Sequence, residues 1–315
     1  MSPDQVRSYR TQAVVLGHIE YGEADRILKL FTFEKGKITA IAKGVRKIRS
    51  RKAGHLEPFT RVSLFLAKGR SMDIITQAET IDPFMGLRNN LTRVAFASYI
   101  VEVLDRFTYE EGQNISIFHL LIETLSRLEH QENPETVAHY YEIRLLDLLG
   151  FRPQLFECID CGEEIRDEDQ YFSPLAGGVA CPRCGAGRAE AWILDQDVLR
   201  YLRHLQRSRW SQVAKVEIPK KIESGLAELI DQYFTYLLER KLNSPKFLRE
   251  IQNQDRPDPG LEQKYKTEKR GWYNETTKMG SRNHQVLEHL NLWRKHPIFN
   301  LSSCSYRIFG LNEIA

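Results

Sequence analysis

Four of the five cysteines in the chain occur as two C-x2-C pairs with nineteen residues between the pairs. Cys158 and Cys161 form the first pair, and Cys181 and Cys184 form the second. A tight turn within each pair brings both sulfurs within reach of one metal ion, and the glycine that follows each pair permits such a turn. Four thiolates in tetrahedral geometry favour zinc or iron. The spacing therefore predicts one structural zinc ion, held by all four cysteines.

Other chemistry for these cysteines fits the sequence less well. A catalytic zinc keeps one coordination position open, and four thiolates leave none. A redox-active C-x2-C pair needs a βαβ context, which this sequence pattern does not supply. The fifth cysteine, Cys304, has no cysteine at metal-ligand spacing and is expected to be a bystander thiol.

The compartment follows from what the sequence lacks. The chain begins MSPDQVRSYR, without the apolar stretch of a signal peptide, and it has no apolar run long enough to span a membrane. We therefore expect a cytoplasmic, nucleoid-associated protein whose cysteines bind metal rather than form disulfides.

A second group of chemically useful residues is basic. Between residues 35 and 70 the chain carries eleven Lys and Arg against a single acid, Glu57. Such side chains neutralise phosphates and release counterions, which makes nucleic-acid binding sensitive to salt. Few aromatic residues lie among them, so contact with the backbone is expected more than readout of bases. The predicted DNA contacts are Lys35, Lys37, Lys43, Arg46, Lys47, Arg49, Arg51, Lys52, Lys68 and Arg70.

These basic residues lie in a region patterned as strands. About five short apolar runs over residues 8–82 are separated by turn signals such as EKGK at 34–37 and KGRS at 68–71. A small antiparallel barrel hides the edges of such a sheet. We therefore predict a barrel domain over residues 1–82, with the densest basic stretch, 43–52, in the loop after the third strand.

Residues 83–251 follow a helical pattern. Helices are predicted over 91–104, 115–128, 198–205 and 222–242, and a further helix between Asn133, as its N-cap, and Gly150. The cysteine pairs interrupt this pattern, which predicts a zinc module inserted at about 156–190. Residues 252–315 open with the helix-breaking sequence DRPDPG at 255–260 and stay polar, so we expect a mostly disordered tail.

Charge is unevenly distributed over these segments. The balance of Lys and Arg against Asp and Glu is +6 for residues 1–82, −6 for 83–251 and +3 for 252–315. This asymmetry indicates an N-terminal domain that faces a polyanion and a helical domain that serves protein partners. The motifs GxxxxGK[ST], GxSxG, HExxH and GxGxxG are absent, so we expect a protein that is not an enzyme and has no small-molecule substrate.

Several separate motifs, in the same order, resemble the bacterial RecO family of recombination mediators. They are YGEADRIL at 21–28, AKGVR at 42–46, LEPF at 56–59, QAE at 77–79, RLLDLLGF at 144–151, and FSP with GGV at 172–179. The resemblance covers residues 8–251. It implies an α+β multidomain protein with an N-terminal five-stranded OB-fold β-barrel, followed by an α-helical domain into which a four-cysteine zinc module is inserted.

The resemblance also implies a function. Members of this family act as mediators of DNA repair and homologous recombination: they bind single- and double-stranded DNA, anneal complementary strands, and help to load RecA together with RecR and single-strand-binding protein. Carried over by position, the residues around Lys37, Lys43 and Arg46 become candidates for DNA contact. The residues alone leave open an RNA-binding zinc and OB protein linked to translation or RNA metabolism, which a preference for RNA over DNA would distinguish.

Overall fold

The computed structural model of the protein describes residues 7–109, 112, 114–130 and 133–254. The predicted disordered tail, apart from its first three residues, lies outside the described residues, as does Cys304. Within the described residues, no helix combines the length and the apolar character needed to cross a membrane.

Five strands form the N-terminal part of the chain, and three short strands lie in the cysteine segment. They are β1 (Ser8–Tyr21), β2 (Asp25–Thr32), β3 (Gly36–Ala42), β4 (Arg61–Ala67), β5 (Asp73–Asp82), β6 (Gln170–Ser173), β7 (Gly178–Ala180) and β8 (Trp192–Leu194).

Strands β1 to β5 form a closed barrel in the order β1-β2-β3-β5-β4. The long strand β1 makes closure possible, because its first half pairs with β4 and its second half with β2, both antiparallel. Strands β3 and β5 complete the circle with a short parallel pairing. Alternate residues such as Val15, Leu30 and Leu64 point inward and are fully buried. The five-stranded OB-like barrel confirms the predicted fold class.

A partly buried ion pair connects β2 to the segment that precedes β4. Arg26 on β2 is 3% exposed and its guanidinium lies 3.2 Å from Glu57. Both residues belong to the motifs that carry the family resemblance. Phe59, close to this pair in sequence, is buried with a φ of 68°, whereas Phe65 on β4 points outward and is partly exposed.

Helices follow the barrel. They are α1 (Met85–Arg88), α2 (Leu91–Phe107), α3 (Ile115–His130), α4 (Pro134–Leu148), α5 (Pro182–Gly185), α6 (Gln196–Arg207), α7 (Trp210–Val213), α8 (Lys220–Leu238) and α9 (Ser244–Gln254). A single-turn 3-10 helix, Ala53–His55, precedes β4.

Local signals set the ends of these helices as predicted in most places. The Asn133 side chain accepts a hydrogen bond from the Thr136 N–H at 3.0 Å, so it caps α4, and Gly150 follows the helix with a φ of 83°. Helix α8 ends four residues before the predicted boundary at 242, because Glu239 adopts a left-handed conformation with a φ of 54°. Leu148, the last residue of α4, is 41% exposed.

The barrel and the helices share one hydrophobic cluster. Val14, Leu16, Phe31 and Phe59 from the barrel belong to it, together with buried residues of α2, α3 and α4. Arg88 of α1 adds polar contacts by donating to the Pro58 carbonyl and the Thr60 hydroxyl at 3.0 and 2.8 Å. The helical domain thus packs directly on the barrel wall.

Candidate metal centre and nucleic-acid interface

The four predicted metal ligands converge. The sulfurs of Cys158, Cys161, Cys181 and Cys184 all lie within 4.8 Å of one another, and those of Cys161 and Cys181 are 3.9 Å apart. A tetrahedral ion bound at about 2.3 Å by each thiolate requires sulfurs roughly 3.8 Å apart. The cysteines are therefore positioned to hold one metal ion.

Backbone hydrogen bonds build the turn of each cysteine pair. In the first pair, the Gly162 N–H donates to the Cys158 carbonyl at 2.9 Å, and Gly162 has a φ of 72°. In the second pair, the Gly185 N–H donates to the Cys181 carbonyl at 2.8 Å. Gly162 serves the turn as the sequence predicts, because its conformation favours glycine.

Gly185 is required for a different reason from the one predicted. Its φ does not lie in the left-handed region, but a Cβ at this position would come within 2.4 Å of the Tyr171 side chain on β6. The second turn therefore packs directly against the small sheet β7-β6-β8. Close packing, rather than backbone conformation, excludes a side chain here.

The environment of Cys158 favours the thiolate form that a metal ion needs. Burial raises the pKa of the Cys158 thiol, but backbone N–H groups of Cys161, Cys181 and Asp160 outweigh it and bring the pKa to about 6. The Cys181 N–H donates to the Cys158 sulfur at 3.3 Å. By contrast, the hydrogen bond with Cys181, and then burial, raise the pKa of Cys184 to about 12. A cation bound by all four sulfurs would displace the protons of those thiols.

Ion pairs connect the two turns outside the sulfur cluster. Arg183, between the second pair of cysteines, lies 2.5 Å from Glu163 beside the first pair. Arg188 pairs with Asp160 between the first pair and with Glu190, the latter at 2.9 Å. These pairs are exposed or half-buried, so each contributes little stability on its own. Their effect is to hold the two turns in one orientation.

The predicted DNA-contact residues form two groups. Some lie in an exposed loop, and the side chains of the others contact other residues of the protein. The basic loop, residues 43–52, leaves β3 through Gly44, whose N–H donates to the Asp25 carboxylate at 2.7 Å. The Arg46 N–H then donates to the Ala24 carbonyl at 2.9 Å, and Val45 is buried. The loop is thus fastened to the β1–β2 turn at its start.

Four cations of the basic loop project into solvent. Lys43, Lys47, Arg49 and Arg51 are exposed and have no ion-pair partner among the described residues. Arg46 is exposed as well, but its guanidinium lies 3.3 Å from Glu20. The loop therefore presents a dense, largely uncompensated positive charge.

Lys52 and Lys37 contact the protein itself. The Lys52 ammonium donates to the carbonyls of Lys43 and Ile75 at 3.2 and 2.9 Å, which closes the basic loop, and burial lowers its pKa. The Lys37 ammonium donates to the Asp105 carbonyl at 2.7 Å and lies 3.2 Å from the Asp105 carboxylate on α2. These contacts favour structural roles for two of the ten predicted DNA-binding residues.

Two of the remaining predicted contacts, Lys35 and Lys68, lie near Tyr9, which sequence reasoning did not select. The Lys35 ammonium sits 3.6 Å above the Tyr9 ring, and the Lys68 ammonium is 5.3 Å from it while pairing with Asp73 at 3.4 Å. Arg70, in the β4–β5 hairpin, is exposed. Because residue 9 is distant in sequence from residues 35 and 68, no local sequence signal could have predicted that these three side chains meet.

The outer face of β2 and β3 is partly covered by helices. Lys29 on β2 donates to the Asp105 carboxylate at 2.8 Å, and the Phe33 and Phe118 rings meet edge to face at 5.5 Å. In OB-folds this face commonly binds oligonucleotides. Here the loops after β3 and β4 offer more accessible cations than the face itself.

Comparison with known proteins agrees with the motifs in the sequence. The family model described as the Recombination protein O N terminal matches residues 6–84, and the one described as the Recombination protein O C terminal matches residues 88–246. A protein named DNA repair protein RecO from Roseiflexus sp. (strain RS-1) is 36% identical over 245 residues, which cover 78% of this chain and 86% of that protein.

Two further relatives carry the same name. The protein from Dehalococcoides mccartyi (strain CBDB1) is 35% identical over 74% of this chain and 92% of its own length. The protein from Pelotomaculum thermopropionicum is 34% identical over 77% of this chain and 94% of its own length. With both family models matched in sequence order on the barrel and the helical domain, the chain belongs to the RecO family.

Proposed function

We propose that this chain is a non-enzymatic mediator of DNA repair and homologous recombination, which binds DNA through the basic loop. The observation that carries the proposal is the exposure of four cations in that loop, which have no ion-pair partner among the described residues. Family membership supports the same conclusion, since the relatives are named for DNA repair.

The mechanism we infer is electrostatic. Lys43, Lys47, Arg49 and Arg51 neutralise phosphates of a strand and release its counterions. Arg70 and Lys68 extend the positive surface along the β4–β5 hairpin. Reduced repulsion between two strands held at one basic surface lets complementary bases pair, which is the proposed basis of strand annealing.

Zinc is the metal that we propose for the four cysteines. Four thiolates match its preferred tetrahedral shell, and such a closed site stabilises structure without offering an open position for catalysis. In this proposal Cys158, Cys161, Cys181 and Cys184 hold the ion, while Arg183 and Arg188 orient the two turns around it. Elemental analysis of the purified chain should find one zinc per protein.

A salt titration tests the DNA-binding proposal. Fluorescence anisotropy of a labelled single strand should show affinity that falls steeply with salt, with a slope of about 0.7 per phosphate contact on a logarithmic plot. The double variant Lys47→Ala/Arg49→Ala should reduce this slope by roughly 1.4. Arg240→Ala/Lys241→Ala removes the same two residue types from an exposed site after α8 and should leave the slope unchanged.

Three outcomes would contradict the proposal. A flat salt response, or equal slopes for the two double variants, would show that the basic loop does not contact phosphates. Stronger competition by RNA than by DNA of the same sequence would favour an RNA-binding protein instead.

The proposed partners are RecR and single-strand-binding protein, with RecA acting afterwards. Purified chain and RecR should together accelerate RecA assembly on a strand coated with single-strand-binding protein. The Lys47→Ala/Arg49→Ala variant should slow this assembly, and it should also slow the annealing of complementary oligonucleotides measured by fluorescence energy transfer. Unchanged rates in both assays would remove the link between DNA binding and mediation.

A further inference from the structure

An open groove of about 710 Å³ lies between α6 and the cysteine segment at about 156–190, which we call the metal module. The module side contributes Phe156 and Ile165, and the helix side contributes Arg200, Arg203, His204 and Arg207. The arginines recur at spacings of three and four residues, so they lie along one face of α6. A row of guanidinium groups thus follows the length of the groove.

The three arginines differ in how well their charge is compensated. Arg200 pairs with Asp167 at 2.8 Å. Arg203 donates only to carbonyl oxygens, those of Leu155 at 2.9 Å and Ile165 at 3.3 Å. The Arg207 guanidinium lies 3.4 Å above the Phe156 ring and has no carboxylate partner among the described residues. Neither Arg203 nor Arg207 therefore has a carboxylate within ion-pair distance among the described residues.

Two further features of the groove favour the binding of an anion. Burial, and then the charge of Arg207, lower the pKa of Arg203, although Asp167 and Glu164 act in the opposite direction. His204 also lines the groove, and its Nε2 is buried without a hydrogen-bond partner among the described atoms. A negatively charged oxygen in the groove would compensate the charge of both arginines.

The positive charge continues beyond the groove. Residues 196–221 carry seven Lys and Arg against two acids, although the helical domain as a whole is acidic. Arg209 and Lys215, just after α6, are exposed. A repeating anion such as a nucleic-acid backbone matches an extended basic surface better than a single carboxylate does.

The lining of the groove also argues for phosphate over an acidic peptide. Only Phe156 and Ile165 offer apolar surface, and the Phe156 face is already covered by Arg207. Glu157 and Glu164 line the module side, which confines an anion to the side of α6. Phosphates along α6 meet guanidinium groups without needing apolar pockets.

We infer that this groove is a second phosphate-binding site for a nucleic-acid strand, separate from the basic loop of the barrel. The inference rests on the proposed function and deepens it, because annealing requires one protein to hold two strands. The metal module forms one wall of the site: the Ile165 N–H donates to the Phe156 carbonyl at 2.9 Å, and the Cys158 N–H donates to the Glu163 carbonyl at 2.8 Å. These bonds connect the wall of the groove to the first cysteine pair.

Photochemical cross-linking of the full chain tests the inference directly. A single strand containing 4-thiothymidine, irradiated with the wild-type protein, should yield cross-linked peptides from residues 196–209 in addition to peptides from the basic loop. Arg207→Glu should remove the former and retain the latter. Cross-links confined to the barrel would overturn the inference.

Binding measurements provide a second test with a matched control. Arg207→Ala should weaken binding of a long strand about two- to fivefold and reduce the salt slope by about 0.7. Arg240→Ala removes an exposed arginine that follows α8 and should change neither value. Circular dichroism melting of both variants verifies that they are folded. If Arg207→Ala does not fold, cross-linking of the wild-type protein decides whether the groove binds a strand.

The outcomes separate this inference from the proposed function. If Arg207→Ala behaves like Arg240→Ala while the basic-loop variant loses affinity, the groove proposal fails and the DNA-binding proposal stands. If neither the loop variant nor Arg207→Ala loses affinity, both fail. If a labelled polyglutamate peptide binds in an Arg207-dependent manner while DNA affinity stays unchanged, the groove is a site for acidic peptides and the inference is wrong.

Discussion

Replacing Glu102 by alanine should detach helix α9 from the helical domain. Glu102 lies on α2, is 3% exposed, and accepts hydrogen bonds from the N–H groups of Asn243 at 2.9 Å and Ser244 at 2.7 Å. The Asn243 amide and the Ser244 hydroxyl donate to the same carboxylate. Because these donors form the N-terminus of α9, the negative charge also interacts favourably with the helix dipole.

Two free-energy costs bound the size of the effect: that of leaving backbone N–H groups unsatisfied and that of undocking α9. Loss of the carboxylate leaves two backbone N–H groups without an acceptor, at about 1–3 kcal/mol each. Undocking of α9 would relieve this penalty but expose Leu248 and Ile251, which are 8% and 4% exposed when docked. Their burial stabilises docking by about 1.5–3 kcal/mol each. We therefore expect a loss of about 3 kcal/mol, which makes α9 open roughly a hundredfold more often.

Hydrogen exchange measured by mass spectrometry is the appropriate assay. Peptides covering 244–251 should exchange about a hundredfold faster in Glu102→Ala, while peptides from strands β1 to β5 stay unchanged. Glu102→Gln keeps an acceptor oxygen and should show a smaller effect. Glu228→Ala, which removes an exposed carboxylate from α8, serves as the control. Unchanged exchange in α9, or a uniform increase across the whole chain, would refute the reasoning.

Three further predictions concern the barrel, its contact with the helices and the metal ion. Asp105→Asn should lower stability at pH 7 by about 1–2 kcal/mol. Burial raises the pKa of Asp105, but Lys29 and Lys37 outweigh this effect and hold the pKa below its usual value. The stabilisation is therefore present above the pKa of the unfolded state and is lost as the pH falls through the pKa of the folded state. Urea titrations should show that the stability difference between wild type and variant shrinks in acid. Glu57→Ala leaves the Arg26 charge buried and should cost about 3 kcal/mol in the same assay, whereas a joint replacement of both by apolar residues should cost less. Removal of the proposed zinc ion by a chelator should accelerate hydrogen exchange over residues 156–194 and leave the barrel strands protected, and equal acceleration in both would contradict a modular site.

Much of the barrel and the metal site could be predicted because the relevant signals are local. Turn sequences and alternating apolar residues lie next to the strands that they define, and each C-x2-C pair builds its own turn. The small strands β6 to β8 were not predicted, because three or four residues are too few to show a period.

The electrostatics of the site could be predicted only in part. A count of charges between residues 35 and 70 located the basic loop, but it could not show that Lys52 closes that loop or that Lys37 meets Asp105, since both contacts are made across the fold. The same counting, averaged over residues 83–251, hid the basic row on α6 inside an acidic total. Helical spacing of Arg200, Arg203 and Arg207 was the signal that could have revealed it.

The shared cluster between the barrel and the helices has a consequence for biosynthesis. In the closed barrel, β4 pairs with both β1 and β5. Because β5 ends at residue 82, the barrel can close once that residue has left the ribosome. At that moment the outward-facing Val14, Leu16 and Phe31 have no partner, because α2 to α4 are still to be made. A nascent or truncated barrel therefore carries an apolar patch that favours self-association. We expect a fragment ending near residue 84 to aggregate unless its helices are supplied, so nascent chains stalled at that point are natural clients for chaperones.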